Sequence, residues 1–360
     1  MPWLRLLLRY RRCVHWRRFA HRLLFLTLLA CVNSFCAVLE LLLHGRSIRE
    51  QPLHPAPLII LGHPRSGTTH LHNLLSRDMR WAFCDTWLAG FTSACLTLKP
   101  LRRLLAGLLD ETRPMDAMAL SWELPAEDEI ATSQLSGGVS PYLALVFPCC
   151  EKTMLRGLYT FETASAEELA AWQAAFLRVC RVATLAAGPA PDGGPRPLLL
   201  KSPVHTARIA LLRRLFPAAR FVYVHRAPLE VLASALHMAQ SYYPYTFLQM
   251  PSDAELTEFV LAQGELLFRE YKQQKKALPP GCLCEVAFAH LDADPAAALR
   301  SVYAALQLGR FDGSGAAVAV ASYVEQLTGF RKNSLGELPA ELQAAARVRW
   351  AAAFRDQGYE

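Results

Sequence analysis

The stretch LIILGHPRSGTTHLHNLL, residues 58–75, constrains the fold of this 360-residue chain more than any other. Leu58 to Leu61 make the short apolar run of a strand buried on both faces. Behind it Leu71, Leu74 and Leu75 recur at helical i, i+3, i+4 spacing. The segment therefore predicts strand, glycine loop, helix. Gly62 and Gly67 bracket Pro64-Arg65-Ser66, and glycines there let backbone N–H groups curl round an anion at the positive end of the helix that Thr68 and Thr69 open. The loop departs from the nucleotide-binding pattern G-x-x-x-x-G-K-[ST], because Thr68 stands where the phosphate-reaching lysine belongs and the cation has moved inside the loop, to Arg65. Such a loop can also be no more than a tight turn, so the rest of the chain has to decide. His63, His70 and His72 crowd it without metal-ligand partners in sequence and read as loop and helix-surface residues.

Downstream, residues 188–197 (GPAPDGGPRP) form a turn-rich loop, and PLLLKSP after it reads as a second strand ending at Lys201. Ile209, Leu211, Leu212 and Leu215 give the next helix an apolar side, which Phe216-Pro217 ends. RFVYVHRAP supplies a third strand ending in Arg226, and Pro228 suits the first turn of a helix with Leu229, Leu232 and Leu236 on one face. This series predicts a P-loop-like three-layer α/β/α fold with a central parallel sheet. Polar residues at the carboxyl ends of its strands would meet in one crevice, and the candidates are Arg65, Lys201, His205 and Arg226.

Charge divides the chain. Its net charge of +7 is matched by seven arginines within residues 1–22, which contain no acid, so the remainder is neutral. A nucleic-acid-binding body is not expected. The basic tail runs into the apolar residues 23–43, long enough to cross a ~30 Å hydrocarbon layer and interrupted by Glu40. Two placements follow: a type II signal anchor, as in a Golgi enzyme with a lumenal catalytic domain, or an N-terminal helix that is buried against the body or lies on the membrane from the cytoplasmic side. The expected organisation is a tail and hydrophobic helix over residues 1–50 and a catalytic domain over residues 51–360. The ten cysteines show no paired C-x-x-C clusters, so they read as single thiols and no metal is expected.

The blocks GHPRSGTT and VYVHRAPLEVLASAL resemble the sulfotransferases that use 3′-phosphoadenosine-5′-phosphosulfate (PAPS), in the arginine-loop form of the tyrosylprotein and bacterial-type enzymes. The resemblance spans about residues 57–336. It implies that Arg65, Ser66, Gly67, Thr68 and Thr69 hold the 5′-phosphosulfate and that Arg226 and Ser234 grip the 3′-phosphate. GFRKNSLGEL, residues 329–338, is similar to the family's C-terminal basic loop, with Arg331 and Lys332 as the basic pair, although Asn333 replaces the glycine of the cytosolic branch.

On this reading the cofactor is PAPS, used as a co-substrate without metal. A sulfuryl group carries less charge than a phosphoryl group, so backbone amides, Arg65 and Lys201 can stabilise its transfer. Lys201 would reach the bridging oxygen. The acceptor hydroxyl, on a carbohydrate, lipid or other alcohol, needs a general base. His205, four residues past Lys201, stands first among the candidates; Glu127 and Glu129 in LPAEDEIA follow, and Asp85 is last. Tyr242, Tyr243, Tyr245 and Phe247 line the acceptor pocket or pack a loop. Two other functions are a P-loop ATP-dependent kinase with a degenerate loop and an inactive membrane-anchored scaffold.

Overall fold

The protein is described from a computed structural model that covers residues 2–113, 118–312, 315–327 and 335–360. Arg331 and Lys332 lie outside the described residues. Among the described residues five strands form one sheet: β1 (Leu58–Leu61), β2 (Ala82–Phe83), β3 (Leu198–Lys201), β4 (Arg220–His225) and β5 (Leu283–Ala287). Their order is β2-β3-β1-β4-β5 and every pairing is parallel, with Ile59 of β1 opposite Leu200 on one side and Phe221 on the other. A sheet of this kind needs a crossover between neighbouring strands and is covered on both faces, which explains why β1 is buried at all four positions.

Alternate residues of the strands feed two cores. Ile59, Leu61, Leu200, Phe221 and Tyr223 pack with Trp172 and Phe176 of helix Ala166–Ala187, whereas Leu58, Ile60, Leu199 and Val222 pack with Leu71 and Leu74 of helix Thr68–Leu75 and with Leu299 and Val302 behind them. The three expected strands and the helices Ile209–Leu215 and Pro228–Ser241 are all present. Because all strands point the same way, the ends of β1, β3, β4 and β5 open on one rim, and that rim carries Gly62, Lys201, Arg226 and Phe288.

The N-terminal residues pack on this body. Helix Pro2–Arg9 leads to helix Ala20–Glu50, with Tyr10 stacked on Phe147 at 4.6 Å and the Trp3 indole donating to Thr27 Oγ1 at 3.0 Å. By length and composition helix Ala20–Glu50 could cross a membrane.

Candidate active site

The loop after β1 is shaped by three residues with positive φ: Gly62 at 146°, Arg65 at 73° and Gly67 at 104°. Gly62 and Gly67 admit no side chain. A Cβ on Gly67 would fall 2.2 Å from the Phe288 ring, and one on Gly62 would fall 2.7 Å from the Val224 carbonyl oxygen. Arg65 holds a left-handed conformation that costs a branchless L-residue about 1 kcal/mol, a strain found where a loop must aim a side chain. Ser66 closes the loop from inside: its hydroxyl donates to the His63 carbonyl at 2.9 Å. Its side chain is therefore turned into the loop.

The opened helix start faces a cavity of about 680 Å³, a size suited to a nucleotide-scale ligand. Arg65, Gly67, Thr68, Thr69, Arg226 and Ser234 all line it. N–H groups in the first turn of a helix have no acceptor within the helix, and the residues that open this one, Gly67, Thr68 and Thr69, line that space. The two halves of the expected donor site touch, since Arg65 Nε donates to Ser234 Oγ at 3.0 Å. Arg226 lies over the Phe288 ring, 4.9 Å from its centroid, and its Nε donates to Glu230 at 2.7 Å. It thus has an intrachain anion, one helical turn ahead and more than half exposed, that a phosphate would have to displace. Met118, Ala119 and Leu124 give another part of the wall an apolar character.

Lys201 ends β3 with 3% of its surface exposed. Its ammonium donates to Glu127 Oε1 at 2.8 Å and to Thr69 Oγ1 at 3.2 Å, so it joins the loop helix to an acid on another element. Burial pulls the lysine below its ordinary pKa, and Glu127 offsets only part of that. For Glu127, burial pushes upward, but Lys201, the Tyr142 hydroxyl and Arg113 together outweigh it and keep the carboxyl below the usual range. Tyr142 donates to the second carboxylate oxygen of Glu127.

The three consecutive acids of the LPAEDEIA segment have three separate partners, because they lie where the chain turns into helix Asp128–Leu135 against the end of β3. Asp128 accepts the Lys201 backbone N–H at 2.9 Å and lies 2.7 Å from His205 Nε2. Glu129 accepts from Ser140, Trp172 and Arg208 at 2.6, 3.1 and 2.9 Å. Arg208 is itself clamped between the Phe161 and Trp172 rings, 4.6 Å from each centroid. Asp128, Glu129 and His205 place ligand atoms close enough together for a metal ion. The Arg208 guanidinium already pairs with Glu129 of that cluster.

The expected placements of His205, His63 and His72 are corrected, and those of Glu129 and Asp85 are now defined. His205 does not face the crevice: the turn Pro203–Ala207 folds its ring inward, where it is fully buried beside Asp128 and Phe176. Glu129 is equally buried and tied to Arg208. His63 and His72 are not surface residues. His63 stacks on Phe268 and burial lowers its pKa to about 4, while burial first and Lys201 second push His72 well below its usual value. Asp85 caps helix Thr86–Gly90 through the Leu88 N–H at 2.8 Å and pairs with Arg102. Among the aromatics, Tyr243 and Phe247 are core residues and Tyr245 is exposed; none lines the cavity. Sequence reasoning missed Tyr142 and Arg208. Tyr142 carried no local signal, and Arg208 could have been flagged only as an arginine inside the apolar stretch PVHTARIALL.

Comparison with known proteins agrees with this geometry. The model of a family described as "Sulfotransferase family" matches residues 57–312. Two curated relatives, each named Omega-hydroxy-beta-dihydromenaquinone-9 sulfotransferase Stf3, from Mycobacterium bovis and Mycobacterium tuberculosis, are 28% identical over 358 residues, 99% of this chain and 89% of theirs. Among solved structures, sulfotransferase STF1 from Mycobacterium tuberculosis H37Rv superposes with a TM-score of 0.64 at 14% identity, covering 88% of this chain and 81% of its own. Sulfotransferase STF9 from Mycobacterium avium also gives 0.64, at 16% identity over 89% and 81%. These matches do not favour the kinase or the scaffold. The chain belongs to the PAPS-dependent sulfotransferases and is an enzyme of that family.

Proposed function

We propose that this enzyme moves the sulfuryl group of PAPS to the hydroxyl of a lipid-like acceptor, with Glu127 as general base and Lys201 at the leaving oxygen. The observation that carries this is the contact chain Thr69–Lys201–Glu127, which links the phosphate-cradling helix start to the Glu127 carboxylate. The acceptor oxygen attacks sulfur, its proton passes to Glu127, and the bond between sulfur and the bridging phosphate oxygen breaks. Lys201, Arg65 and the N–H groups of the loop stabilise the charge left on that phosphate. His205 and Glu129 are better suited to holding this arrangement than to meeting an acceptor, because neither has exposed surface. The lipid class is supported by the apolar wall at Met118, Ala119 and Leu124 and by the relatives, which are named for a dihydromenaquinone derivative. Screening hydroxylated lipids with labelled PAPS tests it, and turnover of sugars alone would overturn it.

Location follows the second of the two readings. A Golgi type II anchor needs residues 23–43 to leave the folded body, whereas Arg22 donates to the Phe247 carbonyl at 2.6 Å and Glu40 is fully buried in that body. This supports a cytoplasmic, membrane-associated enzyme.

Two outcomes test the donor. Activity is expected to persist in excess EDTA; loss that magnesium restores would return the kinase reading. Arg226→Ala is expected to weaken PAPS about ten- to a hundredfold, as befits loss of a charge-assisted contact, and to leave adenosine-5′-phosphosulfate, which lacks the 3′-phosphate, nearly unchanged. Equal weakening of both donors would show that Arg226 serves the fold or the 5′ end instead.

A further inference from the structure

Helix Ala20–Glu50 wears its apolar side outward. Leu24, Phe25, Leu28, Phe35, Leu42 and Leu43 are each 59–75% exposed, and every exposed position from Leu24 to Leu43 is apolar. Its polar residues turn the other way: Glu40 is fully buried, and Thr27, Asn33 and Ser34 are partly covered. A helix on a water-facing surface has the reverse arrangement. An apolar face of this length, about 30 Å over twenty residues, exceeds what a soluble surface ordinarily leaves uncovered.

Both ends of that face are tied to the same folded body. At the start, His15 N–H donates to the Leu248 carbonyl at 3.0 Å and Arg22 to Phe247. At the far end, Glu40 accepts from the backbone N–H groups of Leu96 and Thr97 at 3.1 and 2.8 Å and from the Thr97 hydroxyl at 2.5 Å, and Ile48 is 1% exposed. Crossing a bilayer would strip Glu40 of three donors and leave its carboxylate in hydrocarbon, which is costly. Exposed basic residues flank the face: Arg17 and Arg18 before it, Arg49 and Arg46 after it, the last paired with the exposed Glu50. The segment that holds Glu40 continues into Leu101, Leu104 and Leu108, which are 42%, 80% and 69% exposed, beside the exposed Lys99 and Arg103.

We propose that this helix lies in the plane of one leaflet and docks the enzyme on an anionic phospholipid bilayer, its outward face among the acyl chains and the flanking cations at the headgroups. An apolar face ringed by arginine is complementary to such a surface and to neither water nor a second copy carrying the same charges. The inference rests on the membrane-associated reading of residues 23–43 and is independent of the donor and catalytic assignments.

Full-length protein is floated with vesicles of phosphatidylcholine alone and of an equimolar phosphatidylcholine–phosphatidylglycerol mixture, then washed with alkaline carbonate. Binding is expected to favour the anionic vesicles and to be released by carbonate. It should fall by about tenfold or more in a Phe35→Glu, Leu42→Glu double variant and severalfold in Leu104→Glu, Leu108→Glu. Unchanged binding of adenosine 3′,5′-bisphosphate by both variants shows that they are folded; if the wild type fails to bind that nucleotide, the donor reading falls while the flotation result stands. Retention after carbonate, with no effect of the Leu104 and Leu108 changes, would mean that the helix spans and would overturn the proposal. So would absence of flotation together with a dimer that Phe35→Glu dissociates.

Discussion

Glu127→Gln is expected to lower kcat by about 10² to 10⁴ while leaving nucleotide affinity almost unaltered, the pattern of a lost general base. The environment of Glu127 explains both its charge and its readiness. With Lys201 on Glu127, the lysine, Tyr142 and Arg113 outweigh burial and hold the carboxyl below its usual range. When Lys201 turns to the donor, burial remains and the carboxylate becomes a stronger base at the moment a proton must be taken. The pKa with Lys201 on Glu127 lies below the ordinary glutamate value, so kcat/KM, which reports the free enzyme, should be lost only as pH falls beneath that value. Tyr142→Phe removes one of the groups lowering it, and the acid limb of the kcat/KM profile should then move to higher pH. His205→Asn is the control, since it tests a ring enclosed beside Asp128. It should reduce stability more than turnover per folded molecule. A near-normal Glu127→Gln enzyme, or a larger kcat loss from His205→Asn with the fold intact, would overturn this assignment.

What the sequence disclosed and what it concealed divide by range. The loop, the strands ending at Lys201 and Arg226, and the helix opened by Pro228 are local patterns, because glycine placement, apolar runs and a helix-starting proline each act within a few residues. β2 escaped notice at two residues, and β5, LCEVA, is a partly exposed edge strand with a glutamate in it. His205 was misplaced by a spacing argument. Four residues from Lys201 would share a face on a helix, but the intervening proline begins a tight turn that rotates the ring toward Asp128. Glu40 looked like a flaw in a membrane span, whereas it is held by N–H groups of Leu96 and Thr97, more than fifty positions away. The LPAEDEIA acids could be located as a cluster, but not sorted. Their separate partners, Lys201, His205 and Arg208, all come from the far side of the β3 crossover.

Lys201→Met is expected to cost about 10² to 10³ in kcat, the range observed when one preorganised donor is withdrawn from a developing anion. Methionine has nearly the same length and suits a site where only 3% of the lysine is exposed, so the substitution removes the charge with little change in packing. Lys201 sits between Glu127 and Thr69, and its desolvated ammonium forms strong contacts with whichever anion faces it. If it acts on the oxygen where charge appears, KM for PAPS should change far less than kcat, because the stabilisation exists chiefly in the transition state. A second readout separates this role from a structural one. Without Lys201, burial acts on Glu127 with its main opposing charge gone, the carboxyl pKa rises, and the residual activity should lose its acid limb at higher pH than the wild type. Lys201→Arg would retain the charge yet place a broad planar group where a single ammonium fits between Thr69 and Glu127, so it should restore the acid limb without restoring the rate. If Lys201→Met instead raised KM for PAPS and spared kcat, the lysine would be a ground-state binding group, and the charge on the leaving oxygen would fall to Arg65 and the loop N–H groups alone.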